Sequence, residues 1–228
     1  MAKKHNVVVT QQWANDAVVE TSERPDQARG IGAPGIETPL YHAELPALAA
    51  YQVANAGVLL KELPVTGLLT IRAKADNASL APAFKLVLSL DVPGTLQSCS
   101  NDDYCLRWMS PDEWLLSAPI GELFEIENKL RKSLTTPVAL VNVSGGYTLL
   151  ELSGGQVLNV LKKSTHYDCH PRNLSVGKVV NTPFAKSQVT LRCLAESHYE
   201  LVVRRSFADY IWLWLQTASR EYGLQVAH

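Results

Sequence analysis

The 228-residue sequence has no run of about 18 apolar residues, so no transmembrane helix is expected. It also lacks a recognisable export signal. Met1-Ala-Lys-Lys-His-Asn6 leads into only Val7-Val8-Val9 before Thr10-Gln11-Gln12, which is too short for a signal core. Neither charge dominates: 21 Lys and Arg stand against 22 Asp and Glu, a net charge of −1. That balance argues against a nucleic-acid face or an anionic membrane surface as partner. Cysteine is scarce. Cys99, Cys105, Cys169 and Cys193 form no C-x-x-C pair and are expected as free thiols in a reducing cytoplasm. The G-x-S-x-G nucleophile elbow, the Walker Lys-Ser/Thr pair and the full G-x-G-x-x-G pattern are all missing.

What is present is a sizeable core. Hydrophobic residues make up 46% of the chain and charged residues 19%, enough for one large domain or two small ones. Residues 1–56 differ from the rest. Pro25, Gly30, Gly32, Pro34, Gly35, Pro39 and Pro46 interrupt any regular element. The segment is expected to be an extended arm with apolar anchors at Trp13, Val18, Val19 and Tyr41, and with a short helix between Ala47 and Asn55.

Beyond the arm the chain repeats at an offset of about 80 residues. Val58–Leu63 and Leu68–Lys74, around a Pro-Val-Thr-Gly turn, read as a β-hairpin; Val138–Val143 and Tyr147–Leu152, around Ser-Gly-Gly, read as a second. A helix follows each, at Leu80–Leu90 and Gln156–Ser164. Two further strands and a closing helix complete each half. The first closing helix is Gly121–Leu134, with Leu123, Ile126, Leu130 and Leu134 in one stripe. The expected fold is α+β: two pseudo-symmetric lobes of mostly antiparallel sheet with helices on one face, at 57–135 and 136–228, preceded by the arm at 1–56.

The second closing helix, from Ser206 to about Tyr222, is unusual. Ser206 is its expected N-cap, with Asp209 as capping-box partner, and Gly223 its stop. Phe207, Ile211, Trp214, Leu215, Ala218 and Tyr222 form one apolar stripe, while Trp212 and Leu213 flank the polar side with Asp209, Gln216 and Arg220. Trp212 therefore needs a second covering surface. The arm of the same chain and a partner subunit both satisfy that need, and Trp is enriched among interface anchors.

Four other stretches carry residue types suited to chemistry. Ser153-Gly154-Gly155 joins a strand to a helix N-terminus, where phosphate can bind, but a tight structural turn is the preferred reading. His166-Tyr-Asp-Cys-His170 clusters metal-ligand types, yet Pro171 breaks the helix such an i, i+4 pair needs. Arg204-Arg205 reads as a solvated or salt-bridged strand end, with anion binding as the alternative. Asp102-Asp103 reads as a solvated loop pair.

Three blocks carry a family resemblance. Trp108-Met-Ser-Pro-Asp-Glu-Trp-Leu-Leu116 resembles the "LGPDEWLL" signature of the gamma subunit of heterotetrameric sarcosine oxidase, and Asp168-Cys-His-Pro-Arg172 resembles its "DLHPR" stretch. Tyr199-Glu-Leu-Val-Val-Arg-Arg-Ser-Phe-Ala-Asp-Tyr-Ile-Trp-Leu-Trp-Leu215 resembles its C-terminal "YELLVRRSFADYLWxWL" block. The resemblance covers roughly residues 57–223. It implies a fold related to the first part of the folate-binding T-protein of the glycine cleavage system, whose members carry a further C-terminal domain. It also implies a non-catalytic structural subunit in a complex with alpha, beta and delta partners. That complex oxidatively demethylates sarcosine with oxygen to glycine and hydrogen peroxide, and with tetrahydrofolate yields 5,10-methylenetetrahydrofolate. FAD, FMN, NAD and zinc are implied in the partner subunits, with no catalytic, cofactor-binding or metal residue here. A Cys found in many gamma subunits is replaced here by Val179 or Val180. Under this resemblance Trp212, Leu213, Trp13 and Tyr41 are the candidate partner interface. The alternative is a free-standing folate-binding or aminomethyltransferase-like protein, which needs a carboxylate and an Arg converging between the halves; Asp168 with Arg172 is the only local pair.

Overall fold

The structure is a computed structural model that describes residues 37–74 and 76–227. Trp13 and the other arm residues before 37 lie outside that range. The described N-terminal part forms a 3₁₀ turn, Tyr41–Ala43, and a short helix α1, Leu45–Ala49. The first half then runs β1 (Val58–Glu62), β2 (Thr66–Arg72), α2 (Leu80–Leu88), β3 (Ser98–Ser100), β4 (Cys105–Ser110), β5 (Glu113–Pro119) and α3 (Leu123–Ser133). The second half repeats the order: β6 (Ala139–Asn142), β7 (Tyr147–Ser153), α4 (Val157–Ser164), β8 (Val179–Phe184), β9 (Ser187–Ala195), β10 (His198–Arg204) and α5 (Ala208–Ser219). A final strand, β11 (Leu224–Ala227), follows the left-handed residue Gly223. No helix among the described residues is long and apolar enough to cross a membrane.

The strands form two sheets, ordered β11-β1-β7-β10-β9-β8 and β3-β4-β5-β2-β6. Among the described residues all strand pairings are antiparallel except β1 with β11. The order within the second sheet maps onto β8-β9-β10-β7-β1 of the first, so the internal repeat is real at the level of topology. The two hairpins expected from sequence are not. β1 does not pair with β2, and β6 does not pair with β7. Instead β1 crosses into the sheet of the second half beside β7, and β6 crosses into the sheet of the first half beside β2. Each lobe is thus completed by a strand from the other half of the chain. The crossings are tied where they meet: Leu63 N–H donates to Leu149 O at 2.9 Å, Val143 N–H to Leu68 O at 2.9 Å, and Leu68 N–H to Ser144 Oγ at 2.9 Å.

Strand alternation sets the layers. Leu150 and Leu152 of β7, and Leu201 and Val203 of β10, share a core with Val157 and Val160 of α4 and Ile211 and Leu215 of α5. Leu69 and Ile71 of β2, and Trp114 and Leu116 of β5, share a second with Phe84 of α2 and Ile126 and Leu130 of α3. Phe84 meets the Trp114 ring edge-on, with centroids 6.3 Å apart and planes at 80°. The opposite faces of the sheets meet each other through Leu68, Leu115, Leu149 and Val202. The order is helices, sheet, sheet, helices, and each sheet carries its helices on one face.

Candidate functional site

The layer between the sheets is where two lobes of this kind could open a cleft, and most of its polar groups are committed to one another. Arg107, in the middle of β4, is 1% exposed. Its Nε and Nη2 donate to the two carboxylate oxygens of Glu200 in β10, both at 2.8 Å, a bidentate pair that bridges the sheets. Its Nη1 donates to Ser117 Oγ at 3.0 Å. A second guanidinium, Arg192 of β9, lies 3.9 Å from Glu200 and donates to Ser98 and Ser100 of β3, each at 2.9 Å. Burial would raise the Glu200 carboxyl, but the charge and hydrogen bonds of Arg107, with Arg192 behind it, hold it below the ordinary carboxylate range. Burial likewise opposes the charge on Arg107, and Glu200 outweighs it, keeping the guanidinium protonated. A carboxylate and an arginine do converge between the halves, but they close on each other.

Two of the four chemistry-bearing stretches, 153–155 and 166–170, have structural roles. At Ser153-Gly154-Gly155 the place a phosphate would take is filled by the Gly57 backbone. Gln156 N–H donates to Gly57 O at 2.9 Å and Gly154 N–H to Ser197 O at 3.1 Å. Gly154 has φ +115°, and a Cβ there would stand 2.4 Å from Gly57 O, so glycine is required. In the 166–170 segment, Asp168 accepts the His170 N–H at 3.0 Å and His170 Nδ1 accepts the Arg172 N–H at 3.2 Å. No ion pair joins Asp168 to Arg172. Among the described residues no group of three or more His, Cys, Asp and Glu side chains is placed to share a metal ion. The four thiols are free, and burial raises the pKa of each, that of Cys169 to about 11, which makes them poor nucleophiles.

The expected partner-facing residues divide. Trp212 is 1% exposed and lies in the same core as Leu40, Leu45, Ile211 and Leu215, so it is not a surface anchor. Of the two expected covers the arm is the one present, through Leu40 and Leu45, and Gln216, expected on the polar side, is buried with them. Gln216 and Ser219 are both buried on the Trp212 side of α5, which packs on two sides. Leu213 and Tyr41 are on the surface, at 43% and 40% exposure. Asp209 does not form the expected capping box. A 3₁₀ turn, Arg205–Phe207, precedes α5, no side chain caps it, and Asp209 pairs with His42 at 2.9 Å. This pair ties the Tyr41 segment to the Leu213 face of α5. Sequence reading did not single out Arg107 or Glu200. The signal was available as one charge inside each of the apolar strands Leu106–Met109 and Tyr199–Val203.

Comparison with known proteins agrees with this architecture. The model of the family described as "Sarcosine oxidase, gamma subunit family" matches residues 72–221. Sarcosine oxidase subunit gamma of an Arthrobacter species is 31% identical over 186 residues, 79% of this chain and 90% of that protein. The protein of the same name from Corynebacterium sp. (strain U-96) is 27% identical over 189 residues, 82% of this chain and 91% of that protein. Among solved structures, a chain of heterotetrameric sarcosine oxidase from Corynebacterium sp. U-96, in complex with pyrrole 2-carboxylate, aligns with TM-score 0.74 at 25% identity, covering 85% of this chain and 98% of that one. The aminomethyltransferase T of the glycine cleavage system from Bartonella henselae shares the fold, with TM-score 0.60 at 15% identity over 85% of this chain and 60% of its own. The chain belongs to the sarcosine oxidase gamma subunit family.

Proposed function

We propose that this chain is the non-catalytic structural subunit of a heterotetrameric sarcosine oxidase. The alpha, beta and delta chains hold FAD, FMN, NAD and zinc, and the assembly works in the cytoplasm. It oxidatively demethylates sarcosine to glycine with O₂, releasing hydrogen peroxide, and passes the one-carbon unit to tetrahydrofolate when that is present. The observation that carries the non-catalytic reading is the closed Arg107–Glu200 pair. A folate-binding or aminomethyl-transfer site on this fold needs an accessible carboxylate and arginine between the halves, and here those groups neutralise each other in the interior. The chain divides at 57–135 and 136–228 into two units of duplication, each exchanging its first strand. Co-purification of the chain from its host, followed by a flavin absorbance scan of the recovered complex, tests the reading. Flavin-bearing chains in stoichiometric amount are expected. A lone monomer that binds tetrahydrofolate at micromolar concentration would overturn it.

A further inference from the structure

An unpaired strand at the edge of a sheet is a template for pairing with another chain. Among the described residues, three of the four sheet edges carry a device against this. β3 and β8 close on each other: Val179 N–H donates to Leu96 O and Ser98 N–H to Gly177 O, both at 2.9 Å, and β8 also holds Pro183. β11 is only four residues long, and its Gln225 side chain accepts the Val53 N–H at 2.9 Å and donates to Tyr51 O at 3.0 Å. The fourth edge is β6. It stands in the second sheet where β1 stands in the first, but β1 is covered on its outer side by β11, and β6 has no such strand. Val143 N–H donates to Leu68 O, so by antiparallel alternation Val141 and Ala139 turn their backbone groups toward β2, and Leu140 and Asn142 turn theirs outward. The strand has no charge of its own to deter pairing. Residues 135–150 are all uncharged, Val138-Ala-Leu-Val-Asn-Val143 is rich in β-branched residues, and Val141 is 52% exposed. A charge reaches this edge from α3 instead. Arg131 Nη2 donates to Leu140 O at 2.9 Å, and Glu127, one turn back, accepts from its Nε at 3.0 Å and its Nη2 at 2.6 Å.

We propose that Arg131 guards the β6 edge against pairing with a second copy of this chain. The edge is self-complementary. Two β6 strands meeting antiparallel about a two-fold axis at Val141 set Leu140 of each opposite Asn142 of the other, so that four backbone bonds form and two of them accept at Leu140 O. In the folded chain that oxygen is taken: the Arg131 guanidinium occupies the position an incoming N–H needs. Glu127 is the positioning residue, holding the guanidinium over the edge through two of its nitrogens. The two lobes thus protect equivalent strands by different means, a whole strand in one and a single side chain in the other. Exposed i, i+4 ion pairs add little to stability, so the guard can be removed without unfolding the chain.

The test is size exclusion with light scattering on the full chain over a concentration series, comparing wild type, Arg131→Ala, Arg131→Met and the double variant Arg131→Ala/Val141→Lys. Thermal midpoints check that each is folded. Both single variants are expected to self-associate with a dissociation constant at least tenfold below that of wild type. The added Val141→Lys is expected to return it to the wild-type level, because two lysines then face each other across the axis. Arg131→Met keeps the side-chain stem and is decisive if the alanine variant unfolds. Folded single variants that associate no more than wild type would overturn the proposal, as would association that Val141→Lys leaves untouched. Unfolding of both single variants would overturn it as well, since Arg131 would then hold the fold together rather than guard its edge.

Discussion

Replacing Glu200 with Gln keeps the shape of the side chain and removes its charge from the layer between the sheets. The amide still accepts from one nitrogen of Arg107 but loses the second charge-assisted bond. Arg107, which is all but fully buried, and Arg192 are then left as two guanidiniums with no counter-charge between them. Removing one partner of a buried ion pair costs about 3–5 kcal/mol, because the other charge stays desolvated. That is a large part of the roughly 5–15 kcal/mol that holds a typical domain folded. With a urea slope of about 2–3 kcal/mol per molar, the unfolding midpoint of the full chain should fall by about 1–2 M. The companion variant Arg107→Met/Glu200→Leu removes both charges, and Ser117 keeps an acceptor in Cys105 O. It should recover most of that loss, since apolar replacement of a whole buried pair is often near neutral. Acid titration gives a further check. The Glu200 carboxyl is held below its ordinary value, so its contribution is complete above about pH 4.3 and is lost as pH falls through the folded-state value. The Gln variant should lack that part of the acid limb. A loss under about 1 kcal/mol for Glu200→Gln, or a double variant as unstable as the two single variants summed, would refute the account.

Trp212→Ala should destabilise the chain by about 3–5 kcal/mol, seen as a lower thermal midpoint before any loss of partner binding, because it empties a core site. Gly154→Ala should cost roughly 2–4 kcal/mol in urea unfolding, from positive φ and a collision with the Gly57 carbonyl. The hydroxyl of Ser219 is fully buried with no hydrogen-bond partner among the described residues. Ser219→Ala should therefore leave the midpoint unchanged or raise it by up to about 1–2 kcal/mol equivalent.

Much of the secondary structure was legible because period and propensity act locally. The stripe Leu123, Ile126, Leu130 marks α3, and the alternation in Tyr147–Ser153 marks β7. Strand pairing was not legible. Leu63-Pro-Val between β1 and β2, and the Ser-Gly-Gly turn before β7, look like hairpin turns, and a period of two does not say which sheet a strand joins. β8 escaped notice in part because it holds Pro183, a residue tolerated there since β8 lies at a sheet edge. Trp212 was misplaced because helical spacing shows which residues share a side but not whether a side with polar atoms is buried, as Gln216 and Ser219 are. The Arg107–Glu200 bridge depends on two strands far apart in the chain meeting face to face. Neither strand alone reveals its partner.

The exchanged strands also set the order in which the molecule can be made. The sheet that receives β1 is closed by β11, with Val58 opposite Leu224, so one edge of it waits for residues 224–227 to leave the ribosome. Until then β1 has only part of its bonding, and the pairing that closes the sheet spans most of the described chain. Closure of this kind is slow in general, because a long loop must be ordered before any contact rewards it.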